Sequence, residues 1–337
     1  METAVHDALR RQLSDRQNRL RRALSRDRDE DQLVRLLEQV DSALARMDAG
    51  DYAQCLVCGD DVNDKDLLQN PLLQYCLCDL TPQQQRALEQ DLELARQIQA
   101  GLLPEPHFVS SGWEAYLRYE PLGMVSGDFC DLWTLPGEPD TVYFVVGDVS
   151  GKGVAASLLM SHLQAAFRSL LGTGVPLSTL VERVNRQLLR ASIPTHYATL
   201  ACGRLAPNGD VEIVNAGHCP PLIVRSTGID SIASTGFPVG LLADRSYELN
   251  QFKLAHGDTL VLYTDGLTEA GRNEEFGLDR LQRVLTQCSS DAGPTGPREL
   301  VFTIRQALAA FLGEAPVDDD LTIMVVQRSH RGEACRS

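Results

Sequence analysis

The chain has 337 residues, of which 43% are hydrophobic and 23% are charged, and its formal net charge at pH 7 is −15. This composition indicates a globular protein that is long enough for two domains. The strong negative charge argues against a surface that binds nucleic acid directly or docks on an anionic membrane.

The N-terminus lacks a basic segment followed by an apolar core, so we expect no signal peptide. No apolar run is long enough to cross a bilayer, so we expect no membrane span. The nine cysteines are too few and too unevenly placed for a disulfide scaffold. A reducing, cytoplasmic location is therefore the simpler interpretation.

Residues 1–50 are predicted to be helical. Apolar residues recur at near-helical spacing on both sides of the acidic segment 27–31, which we interpret as a solvated turn. The pattern indicates a helical hairpin or two short coiled-coil segments. The apolar positions are Leu9, Leu13, Leu20 and Leu24 before the turn, and Leu33, Leu36, Leu37, Val40 and Leu44 after it.

Four cysteines cluster in residues 51–80. Cys55 and Cys58 form a CxxC pair, and Cys76 and Cys78 follow at a separation that fits a tetrahedral zinc site. The second pair is CxC, so either Cys78 or Asp79 could be the fourth ligand, since zinc also accepts a carboxylate oxygen. The alternative is a finger without metal, in which the cysteines are small buried hydrophobes.

The segments on both sides of the first cysteine pair resemble DksA/TraR-type zinc fingers. The lead-in ALARMDAGDY at residues 43–52 and the Asn70-Pro71 break before Cys76 carry this resemblance. It implies one bound Zn²⁺. The implied ligands are Cys55, Cys58, Cys76 and Cys78, with Asp79 as the alternate.

A linker helix is predicted over residues 81–104. Thr81 suits the N-cap, Pro82 suits the first helical position, and Pro104 ends the helix. The helix either transmits a signal between the two ends of the chain or simply packs on the following domain. Its apolar face comprises Leu88, Leu92, Ala95, Ile98 and Leu102.

From residue 113 onward, short strands alternate with helices, and acidic residues stand beside the strands. The apolar runs 142–146 and 259–262 and the segments 197–205, 211–214 and 321–327 are predicted strands. The sequence Pro-Asn-Gly at 207–209 predicts a hairpin turn between the strands 197–205 and 211–214. Helices are predicted at 154–171, 177–189, 277–288 and 298–312. The acidic motifs are SGDFCD with Asp128, GDVSGKG with Asp148, YTDG with Asp265, and DDDLT with Asp318, Asp319 and Asp320. Carboxylates at sheet edges suit a site for hard divalent cations.

These four motifs resemble, in order and context, those of bacterial metal-dependent protein phosphatases of the PPM type, closest to the SpoIIE/RsbU-like branch. The resemblance covers residues 105–328. It implies an α+β fold, an α/β-β/α sandwich of two sheets flanked by helices, preceded here by the helical zinc-finger region and the linker helix. Residues 329–337 are expected to be a mobile tail.

The resemblance also implies a centre of two Mn²⁺ or Mg²⁺ ions. Asp148 is the bridging ligand, the Val149 carbonyl is a backbone ligand, Asp128 assists on one side, and Asp265 and Asp319 hold the other ion. The triple Asp leaves the register open by one residue, so Asp320 is the alternate ligand and otherwise supports the ligands from behind. Lys152 is interpreted as a surface or loop charge, and His218 in the AGHCP segment orders its loop or takes a direct chemical role. No general acid is identified.

The implied reaction is hydrolysis of phosphoserine or phosphothreonine on a regulatory phosphoprotein, such as an anti-sigma-factor antagonist. The segment LELARQIQAGLLP resembles the helix that precedes the catalytic domain in RsbU-like phosphatases, which implies regulation from the N-terminal region and a possible homodimer. The alternative is a DksA/TraR-like regulator that binds RNA polymerase and carries an ancillary phosphatase domain. A weaker alternative is a scaffold whose finger recruits a kinase or a substrate.

Overall fold

A computed structural model describes residues 3–26, 31–55, 61–73, 82–191, 196–243, 245–271, 274–291, 296–313, 315 and 317–329. The helices are α1 (Thr3–Arg26), α2 (Asp31–Ala49), α3 (Asp64–Gln69), α4 (Pro82–Leu102), α5 (Val154–Leu171), α6 (Leu177–Ala191), α7 (Asp265–Thr268), α8 (Gly277–Asp291) and α9 (Pro297–Leu312). The strands are β1 (His107–Ser110), β2 (Trp113–Glu120), β3 (Asp128–Leu135), β4 (Glu138–Val149), β5 (Ala198–Leu205), β6 (Asp210–Ala216), β7 (Leu222–Arg225), β8 (Gly228–Ser231), β9 (Asn250–Lys253), β10 (Thr259–Tyr263) and β11 (Leu321–Arg328).

The strands form two antiparallel sheets. One has six strands in the order β1-β2-β11-β10-β7-β8, and the other has five in the order β3-β4-β5-β6-β9. The predicted strands and helices beyond residue 113 are all present. The turn predicted at 207–209 joins β5 to β6, and Gly209 adopts a φ of 92° there, which glycine tolerates without strain.

The sheets pack face to face, with helices on the outer face of each. Successive side chains of a strand point to opposite faces, so Phe144 and Val146 of β4 meet Leu262 of β10 and Met324 of β11 in the central core. Their neighbours Tyr143 and Val145 pack outward instead, against α5 and α6.

The helices α8 and α9 cover the outer face of the six-stranded sheet in the same way. Both faces of each central strand are buried, which explains why these strands appear in the sequence as unbroken apolar runs. The expected α/β-β/α arrangement of two sheets with flanking helices is confirmed.

The N-terminal helices α1 and α2 pack along each other, as the two apolar stripes predict. Leu9 and Leu13 of α1 and Leu33 and Leu36 of α2 are fully or almost fully buried. Burial of each such side chain stabilises the pair by about 1.5–3 kcal/mol. The same apolar cluster includes Leu241 and Leu242, so the helical pair is docked on the sheet domain.

The helix α4 is present where the linker helix is predicted, but this chain leaves much of its apolar face uncovered. Leu88 is 37% exposed and Ile98 is 60% exposed, and the neighbouring Leu94 is 56% exposed. The buried side chain of α4 is instead a polar one, that of Gln99.

The end of the chain corrects one boundary. The last strand, predicted over 321–327, extends to Arg328 in β11, and the Arg328 Nη1 donates a hydrogen bond to the Leu254 carbonyl at 2.7 Å. The expected mobile tail at 329–337 lies, apart from residue 329, outside the described residues. Within the part of the chain that is described, no helix is long and apolar enough to cross a membrane.

Candidate metal centre

Strand register brings the four acidic motifs to one end of the two sheets. In the five-stranded sheet, Asp128 at the start of β3 lies directly opposite Asp148 near the end of β4. In the six-stranded sheet, Tyr263 lies opposite Ile323, so Asp265 follows β10 at the edge where the segment with Asp319 enters β11.

The Asp128 carboxylate lies between the two sheets and is fully buried. Its Oδ2 accepts hydrogen bonds from the Thr264 hydroxyl at 2.8 Å and from the Thr322 hydroxyl at 2.6 Å. Thr322 also donates its backbone N–H to the Thr264 Oγ1 at 3.0 Å. A carboxylate carried by one sheet is thereby held by two hydroxyls from the other.

The carboxylates of the motifs strongly influence one another. Burial, followed by the charges of Asp128, Asp265, Asp319 and Asp320, raises the pKa of Asp148 well above its usual range. Burial and the charge of Asp319 raise the pKa of Asp265 to about 7. Negative charges brought together away from water need a cation nearby, and carboxylate oxygens are ligands that Mg²⁺ and Mn²⁺ prefer. The donor set therefore fits hard divalent ions.

Among the described residues, no group of three or more His, Cys, Asp or Glu side chains forms a ready-made set of metal ligands. Asp319 is paired with a lysine in this structure. The Lys152 Nζ lies 3.1 Å from the Asp319 Oδ2 and donates to the Asp318 carbonyl at 3.1 Å. Lys152 is a charge of the loop between β4 and α5, one of the two alternatives of the interpretation, but its side chain is only 19% exposed and pairs with a motif carboxylate.

Asp320 faces the loop that precedes β3. Its Oδ1 accepts from the Leu122 N–H at 2.7 Å, and its Oδ2 accepts from the Gly127 N–H at 3.1 Å. Both carboxylate oxygens thus hold backbone groups of the loop 121–127. This geometry suits a supporting residue rather than a metal ligand.

Two glycines permit the close approach of the motifs. A Cβ at Gly127 would lie 2.9 Å from the Val149 carbonyl oxygen and 3.3 Å from the Asp148 Oδ1. A Cβ at Gly266 would collide with the Asp320 carbonyl oxygen. Glycine at both positions lets backbone segments of different strands meet at the carboxylates.

His218 is a buried member of the loop after β6. Its backbone N–H donates to the Asn215 Oδ1 at 2.8 Å, and its ring Nδ1 lies 2.8 Å from the Thr199 Oγ1. Burial lowers the pKa of His218 to about 4, so the ring is neutral near pH 7. These contacts are those of a residue that orders its loop, and they include no motif carboxylate.

A pair of hydrogen bonds that sequence reasoning missed joins α4 to the centre. The Gln99 Nε2 donates to the Ser126 carbonyl at 2.8 Å, and the Ser126 N–H donates to the Gln99 Oε1 at 3.0 Å. The Ser126 hydroxyl in turn accepts from the Asp128 N–H at 3.0 Å. Local spacing gives no signal for Gln99, because its partner is remote in sequence.

The predicted zinc ligands are described only in part. Cys55 is buried and forms no disulfide. Cys58, Cys76, Cys78 and Asp79 lie outside the described residues. Among the described cysteines of the sheet domain, Cys130 and Cys202 are buried, and Cys219 and Cys288 are partly exposed.

The raised pKa of Asp265 predicts an unusual pH dependence of stability in the absence of metal. Its ordinary value of 3.8 rises to about 7 in the fold, so the folded state holds the proton more tightly. The free energy of unfolding should then fall as pH rises through that window, on the order of 2–4 kcal/mol in total. Asp265→Asn should remove this loss.

Thermal unfolding in chelator, from pH 4 to pH 7, measures the effect. The melting temperature of Asp265→Asn should rise relative to that of the unmodified protein as pH increases. Asp140→Asn, at an exposed position of β4, is the matched control. Parallel curves for all three proteins would contradict the electrostatic account of the site.

The comparisons with known proteins agree with this architecture. A family model described as "Stage II sporulation protein E (SpoIIE)" matches residues 138–329, more than half of the chain. Protein IcfG of Synechocystis sp. is 32% identical over 270 residues, which are 71% of this chain and 42% of IcfG. Phosphoserine phosphatase RsbU of Bacillus subtilis is 26% identical over 251 residues, 72% of each chain. The chain therefore spans less than half the length of IcfG.

Solved structures share the fold. The RsbU and RsbW domains of Rv1364c from Mycobacterium tuberculosis match with a TM-score of 0.57 and 26% identity, over 68% of this chain and 63% of that one. The SiaA-PP2C domain of Pseudomonas aeruginosa matches with a TM-score of 0.60 and 21% identity, over 72% of this chain and 98% of that one. With two packed sheets, acidic motifs at one end of them, and a matching family model over β4 to β11, this chain belongs to the SpoIIE family.

Proposed function

We propose that this chain is a metal-dependent protein serine/threonine phosphatase that acts on a regulatory phosphoprotein. The observation that carries the proposal is the meeting of four motif carboxylates at one end of the two sheets, those of Asp128, Asp148, Asp265 and Asp319. Burial and the charges of neighbouring carboxylates raise the pKa values of Asp128, Asp148 and Asp265. The similarity to RsbU, whose name describes a phosphoserine phosphatase, supports the same reaction.

Phosphate monoesters are hydrolysed extremely slowly without a catalyst. Two bound Mn²⁺ or Mg²⁺ ions would supply an activated water and neutralise charge on the phosphoryl oxygens. In this proposal Asp148 and the Val149 carbonyl would hold the ions from one sheet, and Asp265 and Asp319 would hold them from beside the facing sheet. The hydrogen bonds from the two threonine hydroxyls oppose, but do not cancel, the rise in the pKa of Asp128 that burial and the charge of Asp320 cause.

We propose a substrate of the anti-sigma-factor antagonist type. Support comes from the RsbU similarity and from a solved relative that combines RsbU and RsbW domains in one protein. The alternative, a regulator that docks on RNA polymerase, is less well supported. The α1 helix has 24 residues and is therefore about 36 Å long. Its hairpin is also packed against Leu241 and Leu242 of its own sheet domain.

Replacement of a central carboxylate tests the reaction. Asp148→Asn should abolish Mn²⁺-dependent turnover of a phosphoserine peptide, because one ligand charge at the centre is lost, and the melting temperature in chelator should not fall. Asp140→Asn should keep full turnover. Activity that survives chelator, or full activity in Asp148→Asn, would rule out metal-dependent catalysis at this site.

We further propose that α4 carries regulation from the N-terminal region to the metal centre. Gln99 holds Ser126, whose hydroxyl holds the Asp128 N–H. Gln164 of α5 donates to the Leu102 carbonyl at 2.6 Å and to the Asp131 Oδ2 at 3.0 Å, which fixes the end of α4 against β3. A rotation of α4 would therefore move the segment that leads into Asp128.

The uncovered apolar residues of α4 support a homodimer in which the linker helices of two chains pack on each other. Leu88, Leu94 and Ile98 are the exposed side chains that a second copy would bury. In this proposal the zinc-finger-like region at 51–80 sets the position of the linker at 81–104, and the phosphatase domain at 105–328 responds.

The linker proposal predicts a positioning role for Gln99. Gln99→Ala should leave the fold intact. It should lower turnover and weaken the response of turnover to Mn²⁺, so that a higher Mn²⁺ concentration is needed, because Ser126 loses its two hydrogen bonds to Gln99. Gln90→Ala, at an exposed glutamine on the same helix, is the control.

Four glycines inserted after Gln90 should abolish any difference in turnover between the full-length protein and a chain that starts at Pro104, since each glycine destabilises the helix by about 1 kcal/mol. Identical turnover by the unmodified full-length and shortened chains would exclude regulation through α4.

The proposed zinc site predicts one tightly bound Zn²⁺ per chain, separate from the ions of the phosphatase centre. The cysteine spacing supports it, and Cys78→Ser and Asp79→Ala discriminate the fourth ligand. Elemental analysis of protein purified without chelator measures the zinc content. The idea fails if zinc is absent and the double replacement of Cys55 and Cys58 leaves the melting temperature unchanged.

A further inference from the structure

The helix α1 is strongly basic in an acidic protein. It contains seven arginines and two aspartates, whereas the whole chain carries a formal charge of −15. Some of the arginines face α2, where Arg10 pairs with Asp48 at 2.6 Å and Arg21 lies 3.7 Å from Asp41. Two others, Arg16 and Arg19, point towards the sheet domain.

Arg19 reaches the edge of the metal centre. Its Nη2 lies 3.7 Å from the Glu269 Oε1, and Glu269 directly follows α7, the short helix that begins with Asp265. The Arg19 side chain is 74% exposed, so donors of its guanidinium remain accessible to a ligand.

Arg16 lies near His196. Burial of the imidazole, and after it the charge of Arg16, lowers the pKa of His196. A Cβ at Gly151 would lie 3.6 Å from the His196 Nε2, which places His196 beside the GDVSGKG loop. The Tyr197 carbonyl accepts from the Ser150 N–H at 2.8 Å. The helix α1 therefore flanks the loop after Asp148 as well as the helix after Asp265.

An arginine beside the proposed metal ions would add hydrogen-bond donors for a phosphoryl group. The four acidic motifs contain one basic residue, Lys152, and its ammonium is paired with Asp319 and the Asp318 carbonyl. A guanidinium offers several N–H donors in a fixed plane and matches the oxygens of a phosphoryl group. Arg19 brings such donors to the edge of the centre, beside Glu269.

We propose that Arg19 is a substrate-binding residue that donates hydrogen bonds to the phosphoryl group of the substrate. Arg16 positions α1 beside the GDVSGKG loop, so that the N-terminal hairpin completes the substrate site of the sheet domain. This inference rests on the proposed phosphatase function and adds to it a residue from outside the matched family region.

The test uses the full-length Mn²⁺-loaded protein with Arg19→Ala, Arg19→Lys and, as a matched control, Arg11→Ala. Arg11 is an exposed arginine of the same helix whose Nε donates to the Asp7 carbonyl. Inorganic phosphate and p-nitrophenyl phosphate are the probes. Arg19→Ala should raise the phosphate inhibition constant and the KM for p-nitrophenyl phosphate about tenfold, the effect of losing a hydrogen bond to a charged group. Both constants should be intermediate for Arg19→Lys, between those of Arg19→Ala and those of the unmodified protein. Both should be unchanged in Arg11→Ala.

Calorimetric binding of inorganic phosphate separates this inference from the proposed function, because it does not need turnover. If the unmodified protein hydrolyses no phosphopeptide but Arg19→Ala still binds phosphate more weakly than Arg11→Ala, the phosphatase proposal fails and the Arg19 site stands. Unchanged phosphate binding in Arg19→Ala overturns the inference. Higher turnover in Arg19→Ala also overturns it, since the hairpin would then obstruct the site instead of completing it.

Discussion

The contact on which the site depends is a buried carboxylate held between two sheets. Asp128 belongs to the five-stranded sheet, yet the hydroxyls that donate to its Oδ2 come from Thr264, directly after β10, and from Thr322 of β11, both on the side of the other sheet. Burial of a carboxylate is strongly unfavourable, and these two hydrogen bonds offset part of that cost, although burial still raises the pKa of Asp128. The same contacts fix the distance between the sheets at the end where the other carboxylates lie.

The remaining features of the site follow from crowding several negative charges into that space. Lys152 offsets the charge of Asp319, Asp320 satisfies two backbone N–H groups, and Gly127 and Gly266 leave room for the chains to approach. A cluster of this kind opposes folding, because like charges repel where water cannot screen them. The large apolar core between the sheets and under the helices provides the stability that the cluster lowers.

The sequence predicted the parts of this structure whose causes are local. Apolar runs buried on both faces predicted the strands, Pro207 to Gly209 predicted a hairpin turn, and acidic residues at strand ends predicted where carboxylates gather. Contacts between remote residues had no local signal. Gln99 stood in an apparently uniform amphipathic helix, Lys152 looked like one more loop charge, and Thr264 and Thr322 looked like ordinary strand residues. Each gained its role only from a partner placed beside it by the packing of α4 or of the second sheet.

The position of β11 determines the order in which the molecule can assemble. This last strand of the described chain lies in the interior of the six-stranded sheet, between β2 and β10, and it contributes Thr322 to the Asp128 contact. During synthesis, one edge of β2 stays unpaired until β11 has been made, because β1 and β2 are joined to β10 only through β11. Pairings between such distant segments form slowly, and open strand edges invite association with other chains. The contact that holds the Asp128 carboxylate between the sheets therefore cannot be completed before the residues of β11 have been synthesised.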